Sequence, residues 1–364
     1  MTHNFNGKWK PENGKLFIVL FCVLSTAIFA QSGRNKDKQE EELKPKINKI
    51  LTDTSSAKPA PTPTPISLKI PKPTPEQDEV IRIDSTLVPI PVSATDANLQ
   101  AVLNLQIEDF ELKIDGVNAE ITDISRNEMP VRLALLFDNS SSVIQAREFE
   151  KKAAIKFFKQ VIRPKSDLAA LFSVQTGTRL EQVLTKDVSS LVYSIENLPE
   201  PAGATALFDG IIKAAKYLEN IEGRRVIVIM SDGEDTISDS TLEETVKVLQ
   251  QTNCQIYVVK TTDFENFKRD GERTTNANVR SLAAERRMQE LALQTGGAVY
   301  SPIDERELGL AFSRISNELS SQYILSYYPD ANEKLNVFHN ISLTVKNRQN
   351  LTIRTRKGYL LTRK

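Results

Sequence analysis

The sequence predicts an α/β fold: a doubly wound, mainly parallel sheet flanked by helices, accompanied by a small β-sandwich-like domain built from the segments on either side of it. Three observations carry this. Nearly unbroken apolar runs at 133–137, 168–174, 226–230 and 256–259 are too short for helices and suit strands buried on both faces. Stretches of helical period separate them, with Phe149, Ala153, Phe157 and Val161, then Leu207, Ile211, Ala214 and Leu218, then Leu242, Val246 and Leu249. Strand alternating with helix demands parallel pairing through right-handed crossovers. Outside this region the rhythm changes to period two, at Val88, Ile90 and Val92 before it and at Ile341, Leu343 and Val345 after it.

Taken in order, residues 1–30 read as a secretory signal peptide. Lys8, Lys10 and Lys15 precede an apolar run over 16–29 that ends at Ala30. A membrane anchor is the competing reading, but at 1.5 Å per residue the run reaches roughly 21 Å, short of a ~30 Å hydrocarbon core. The mature chain is therefore expected to hold no transmembrane span and to be exported: periplasmic, attached to the cell surface or secreted. Residues 31–78 form a charged, then Pro-rich linker. Pro-x-Pro steps over 58–75 favour an extended, semi-rigid spacer of roughly 50 Å.

Residues 79–128 are the N-terminal β segment. Pro89 and Pro91 alternate with Val88, Ile90 and Val92, so the first strand is expected at a sheet edge, where a missing N–H costs nothing. Leu103, Leu105 and Ile107 predict a second strand, and Phe110, Leu112 and Ile114 a third before the turn Asp115-Gly116. So few residues bury too little to stand alone. Residues 322–364 are expected to pack against them, closing the small domain around the α/β body at 129–321. From Ile341 onward the chain has no acidic residue, and its arginines read as a solvated strand face.

Composition narrows the chemistry. The 364 residues carry 47 basic and 47 acidic side chains, a balance that gives no support to nucleic acid as the partner. Without residues 1–30 the tally is 44 against 46. Two histidines and two cysteines are too few for a zinc finger, an iron–sulfur cluster or a disulfide framework, so any metal is held by oxygen. Cys254 reads as a small buried apolar residue.

In open α/β sheets, ligands bind beyond the carboxyl ends of the strands. Three segments place oxygen ligands there: Asp138-Asn139-Ser140-Ser141-Ser142, Gly203-Ala204-Thr205 and Ser231-Asp232-Gly233. Each alone reads as a helix cap or turn. Together they bring two carboxylates and three hydroxyls to one rim, with Asp138, Ser140 and Ser142 turning inward and Asn139 and Ser141 outward. Five hard ligands of low charge suit Mg²⁺ or Mn²⁺, and one coordination position is left for a carboxylate supplied by a partner protein.

These segments resemble the Asp-x-Ser-x-Ser, Thr and Asp elements of the metal-ion-dependent adhesion site (MIDAS) in von Willebrand factor type A (VWA) domains. The resemblance covers about 190 residues, with all elements in order. The wider chain resembles the secreted bacterial proteins called VWFA-related, found in Acidobacteria, through Leu87-Val88-Pro89-Ile90-Pro91-Val92, Asp109-Phe110, the 321–329 segment ending Tyr327-Tyr328-Pro329, and Lys357-Gly358-Tyr359. The resemblance implies a metal-dependent protein-binding or cell-adhesion domain whose metal ligands are Asp138, Ser140, Ser142, Thr205 and Asp232. A long polar stretch over 262–284 follows the fourth buried strand near the same rim, and is expected as a loop or short helix shaping the partner surface.

Rival classes are weaker. A phosphotransferase with an aspartate after its first strand needs a second acid two residues on, where Ser140 stands, and a hydroxyl is a poor general acid. With only His339 outside the signal segment, and that one in the C-terminal β region, no serine triad is available. The chain is therefore read as a non-enzyme, with a structural envelope protein whose metal only ties loops together as the alternative, and a metal-dependent hydrolase behind it.

Overall fold

The computed structural model describes residues 87–126, 129–144, 147–271, 279–329, 336–346, 348 and 350–361. The predicted signal segment and spacer lie outside the described residues. Four short strands come first: β1 (Val88–Thr95), β2 (Phe110–Ile114), β3 (Val117–Ala119) and β4 (Asp123–Ser125). The α/β body runs β5 (Val131–Asp138), α1 (Arg147–Val161), β6 (Leu168–Val174), β7 (Thr178–Thr185), α2 (Val188–Glu196), α3 (Leu207–Leu218) and β8 (Arg224–Ser231). It continues through α4 (Leu242–Thr252), β9 (Gln255–Lys260), α5 (Thr262–Asp270), α6 (Val279–Thr295), β10 (Ala298–Tyr300) and α7 (Glu305–Ser321). Strands β11 (Tyr323–Tyr327), β12 (Phe338–Val345), β13 (Thr352–Thr355) and β14 (Gly358–Leu360) follow.

The expected α/β sheet is present, in the order β10-β9-β8-β5-β6-β7. All its pairings are parallel except that of β6 with β7, which is antiparallel and bulged. Strand β5 has β6 on one side and β8 on the other, so strand order reverses between β5 and β8. Alternate residues of β5 serve two cores. Leu133, Leu135 and Phe137 meet Phe157 and Phe158 of α1 and Phe312 of α7, while Ala134 and Leu136 meet Leu207 and Ile211 of α3 and Met288 of α6. Burial of each large side chain contributes about 1.5–3 kcal/mol, which holds the central strands rigid and gives their carboxyl ends a fixed position.

Beside this body stand two antiparallel sheets, ordered β13-β1-β11-β4 and β14-β12-β2-β3. A third core fills them, with Ile90 and Val92 of β1, Leu112 of β2, Tyr323 and Leu325 of β11, Ile341 of β12 and Tyr359 of β14.

The structure corrects three local expectations. Residues 102–106 form no strand: the Tyr323 hydroxyl donates to the Val102 carbonyl at 2.9 Å and accepts from the Leu105 N–H at 3.0 Å, so a side chain satisfies the backbone that a ladder would have used. Strand β1 is interior, lying between β11 and β13, yet β13 pairs only with Val92–Thr95, past the prolines. Beside them the Pro91 carbonyl accepts from the Thr355 hydroxyl at 2.8 Å and the Pro89 carbonyl from Arg356 Nη2 at 2.7 Å. The rule against donorless residues in a ladder is thus obeyed over half a strand. Third, Arg354 and Arg356 do not form a solvated face. Arg354 reaches Glu318 of α7 at 2.6 Å and the Gly297 carbonyl at 3.2 Å.

Candidate functional site

The switch point between β5 and β8 is where side chains from two strand ends face each other with no covering strand. Asp138, the last residue of β5, is 1 % exposed. Its Oδ1 accepts from the Ser140 N–H at 3.0 Å, which folds the loop back over the strand end. Its Oδ2 accepts from the Ser231 hydroxyl, at the end of β8, at 2.6 Å. Ser231 Oγ in turn accepts from the Gly233 N–H at 2.9 Å and stands 3.5 Å from Asp232 Oδ1. The single Ser231 proton goes to Asp138, and Asp232 Oδ1 accepts from the Glu234 N–H at 2.8 Å. Ser140 Oγ and Ser142 Oγ are 2.9 Å apart, Ser140 buried and Ser142 exposed.

Thr205 joins through its backbone. The Ser141 N–H donates to the Gly203 carbonyl at 3.1 Å, setting the second loop against the first. The Thr205 N–H donates to Thr236 Oγ1 at 2.9 Å, and the Thr205 carbonyl accepts from the Thr236 N–H at 2.9 Å, setting it against the third. Thr205 itself is buried. Glycine is required in two of these loops. Gly203 has φ +74° and faces the Thr176 hydroxyl, and Gly233 has φ +84°, with Met288 Cγ 3.0 Å from where a Cβ would sit.

Sequence reasoning missed the residues that hold the loops. Asn139, expected to turn outward, is fully buried: its Nδ2 donates to the Pro199 carbonyl at 3.0 Å, and its Oδ1 accepts from Arg147 Nη1. Arg147 also donates to the carbonyls of Leu198 at 2.9 Å and Pro199 at 2.6 Å, fastening the chain that leads into Gly203. Asp235 accepts from the N–H groups of Leu207 and Phe208 at 2.7 and 3.1 Å, capping α3 from the third loop. An acid three residues past Asp232 was the visible signal, but nothing in the sequence says which helix it caps. The stretch at 262–284 forms α5 and the start of α6, with 272–278 outside the described residues. Phe264 stacks on Phe149 of α1 at 3.2 Å between ring centroids, and Thr262 Oγ1 donates to the Asp232 carbonyl at 3.3 Å, so α5 sits against the site.

Burial, and then the charge of Asp232, push the Asp138 carboxyl up to about 6 despite the Ser231 and Ser140 hydrogen bonds. A buried carboxyl acted on by a second acid is a setting that a cation relieves, and the donor set of carboxylates and hydroxyls fits a hard divalent ion. Among the described residues there is no cluster of three or more His, Cys, Asp or Glu side chains, so a metal here relies on serine and threonine oxygens.

Residues 133–234 match the family model of the von Willebrand factor type A domain. Three solved structures are similar to the chain. An aerotolerance-related membrane protein from Bacteroides fragilis is 18% identical, with coverage of 52% of this chain and 98% of that one and a TM-score of 0.41. Proximal thread matrix protein 1 from the mussel byssus, described with a zinc-occupied MIDAS motif, is 13% identical, with coverage of 57% and 50% and a TM-score of 0.43. A von Willebrand factor type A protein from Catenulispora acidiphila is 9% identical, with coverage of 77% and 75% and a TM-score of 0.41. No curated protein matches the chain. Among the described residues no helix is long and apolar enough to cross a membrane.

Proposed function

We propose that this chain is an exported, non-catalytic protein-binding or adhesion module of the VWFA-related kind, working through a metal-ion-dependent adhesion site. Asp138, Ser140, Ser142, Thr205 and Asp232 would hold Mg²⁺ or Mn²⁺, directly or through water, and an acidic residue of a partner protein would complete the coordination. The observation that carries this reading is the Asp138–Ser231 hydrogen bond across two neighbouring strand ends at the switch point, which brings Asp138 beside Asp232, with the Ser140–Ser142 pair next to it. The cation supplies a positive centre for a carboxylate. The protein's residues keep that centre in one place: Asn139 and Arg147 brace the first loop, and Thr236 and Asp235 tie the third loop to the second. The N-terminal signal would export the chain, and the Pro-rich spacer would hold the domain away from its attachment point.

Calorimetric titration of Mg²⁺ and Mn²⁺ into the wild type and Asp138→Ala tests the site. Saturable binding to the wild type alone is expected; equal heats for both proteins, or none for either, overturn it. A purely structural metal is the second reading, favoured by the way the site ties three loops together. Recovery of the same envelope partners with and without chelator would establish that reading over adhesion.

A further inference from the structure

Strand β10 ends the six-stranded sheet, so only β9 lies beside it. A cavity of about 490 Å³ runs along its free edge, between α7 and the turn that leads out of β1. A second hollow of about 490 Å³ shares Val299, Tyr300, Leu310 and Arg314 with the first and continues to Glu285 and Gln289 of α6. Together they form one open groove along β10. Among the described residues, the backbone of Ala298, Val299 and Tyr300 makes no hydrogen bond except with β9. Two leucines stand exposed on the walls, Leu99 at 47 % and Leu310 at 50 %. The turn that carries Leu99 is closed on itself: Asp96 Oδ1 accepts from the N–H groups of Asn98 and Gln100 at 2.9 and 2.8 Å, and the Asp96 carbonyl from the Leu99 N–H at 3.0 Å. Leu99 is thereby held at φ +60°, a left-handed conformation unfavourable to a leucine, with its apolar side chain in solvent.

The charges along the groove are unevenly engaged. Its carboxylates all have partners: Glu318 accepts from Ser93 and Arg354, each at 2.6 Å, Glu285 pairs with Lys260 at 3.3 Å, and Glu307 accepts from the Ile303 N–H at 3.1 Å. Arg314, on α7 and shared by both hollows, is exposed and makes no ion pair or hydrogen bond among the described residues. We infer that this groove is the docking site for an extended segment of a partner protein. The segment adds a strand to the free edge of β10, lays apolar side chains on Leu99 and Leu310, and places a carboxylate against Arg314. An unpaired strand edge is a template for another chain: its main-chain groups give affinity, and the hollows beside it select alternate side chains. A compact ligand would fill one hollow and leave the rest of the edge bare, whereas an extended chain uses the edge, both leucines and the unpaired cation. This surface lies at the edge of the sheet and includes none of the candidate metal ligands.

The test is selection from a random linear heptapeptide library on the full chain in the presence of chelator, followed by calorimetry with the recovered peptide, its termini blocked. The expected peptide alternates apolar residues with others, carries an Asp or Glu, and binds saturably. An added strand turns only alternate N–H groups toward its neighbour. N-methylation of every second amide is therefore expected to weaken binding about tenfold or more in one phase and to leave it unchanged in the other. The protein variants are Arg314→Glu and Leu99→Gly. Both positions are exposed, so both are expected to fold, and Leu99→Gly to melt no lower than the wild type, because glycine adopts φ +60° freely. Each is expected to bind the peptide about fivefold or more weakly. No enriched sequence, equal losses in the two N-methylation phases, or unchanged affinity in both variants would overturn the proposal.

Discussion

Ser231 owes its importance to a single proton, donated to Asp138 Oδ2 at 2.6 Å from the neighbouring strand end. Residues that orient a metal ligand through a hydrogen bond commonly contribute about 10–100-fold in affinity. Ser231→Ala is therefore expected to fold normally and to bind Mg²⁺ about 10–100-fold more weakly by calorimetry; unchanged affinity would show that Asp138 is oriented without it. Asn139 is a different case. Its replacement by alanine leaves Arg147 Nη1 without its side-chain acceptor in a buried setting, at a cost of about 1–3 kcal/mol readable by urea unfolding. Asp138, Ser140, Ser142, Thr205 and Asp232 stood out in the sequence because hard oxygen donors after buried strands have few other uses in such number. Asn139 did not, because its burial depends on Arg147 and on the Pro199 carbonyl sixty residues away.

At the scale of elements, the start of the central strand is anchored by one carboxylate. Asp167 is buried and accepts from the Val131 N–H at 2.9 Å and from the Arg163 guanidinium at 2.8 and 2.9 Å, joining β5 to the end of α1. Burial alone would raise its pKa, but the Arg163 and Val131 hydrogen bonds outweigh it and hold the carboxyl below its ordinary value. Because the folded state binds that proton less tightly than the unfolded chain, the stabilisation is fully present above the ordinary carboxyl range near 4. It is lost as pH falls from there through the lowered value. Asp167→Asn is expected to be less stable at neutral pH by about 1–3 kcal/mol, and to lose less on acidification than the wild type does. Parallel acid-unfolding curves for the two proteins would refute this. The buried strands β5, β6, β8 and β9 and the amphipathic helices α1, α3 and α4 were legible because period and burial are local properties. The edge strand β7 was not: its half-exposed sequence TRLEQVLT becomes a strand only because β6 offers an open edge beside it.

The whole molecule is held together by a polar seam. Glu318 of α7 accepts from the Ser93 hydroxyl of β1 and from Arg354 of β13, each at 2.6 Å, and Gln322 Nε2 donates to Ser93 Oγ at 2.8 Å. Removing one partner of a buried ion pair commonly costs about 3–5 kcal/mol. Glu318→Ala is therefore expected to lower the melting temperature sharply, and to raise hydrogen exchange in β1 and β13 before it affects β5 and β8; uniform exchange across both regions would show that the seam does not couple the two cores. A bound cation should act at this scale too. Mg²⁺ in excess is expected to raise the melting temperature of the wild type and leave that of Asp138→Ala unchanged, since a ligand that binds only the folded state stabilises by mass action.

The sequence by itself determined the fold class and the kinds of atoms at the strand ends, because the rhythm of apolar burial and the chemistry of side chains belong to the chain. Only the tertiary structure decided which residues brace the loops, that β1 lies inside its sheet while its prolines face a gap, and that Arg354 and Arg356 turn inward. Each of these rests on a partner far away in sequence. A hydrogen bond or an ion pair between such residues has no local signature, and exists only once the chain has folded.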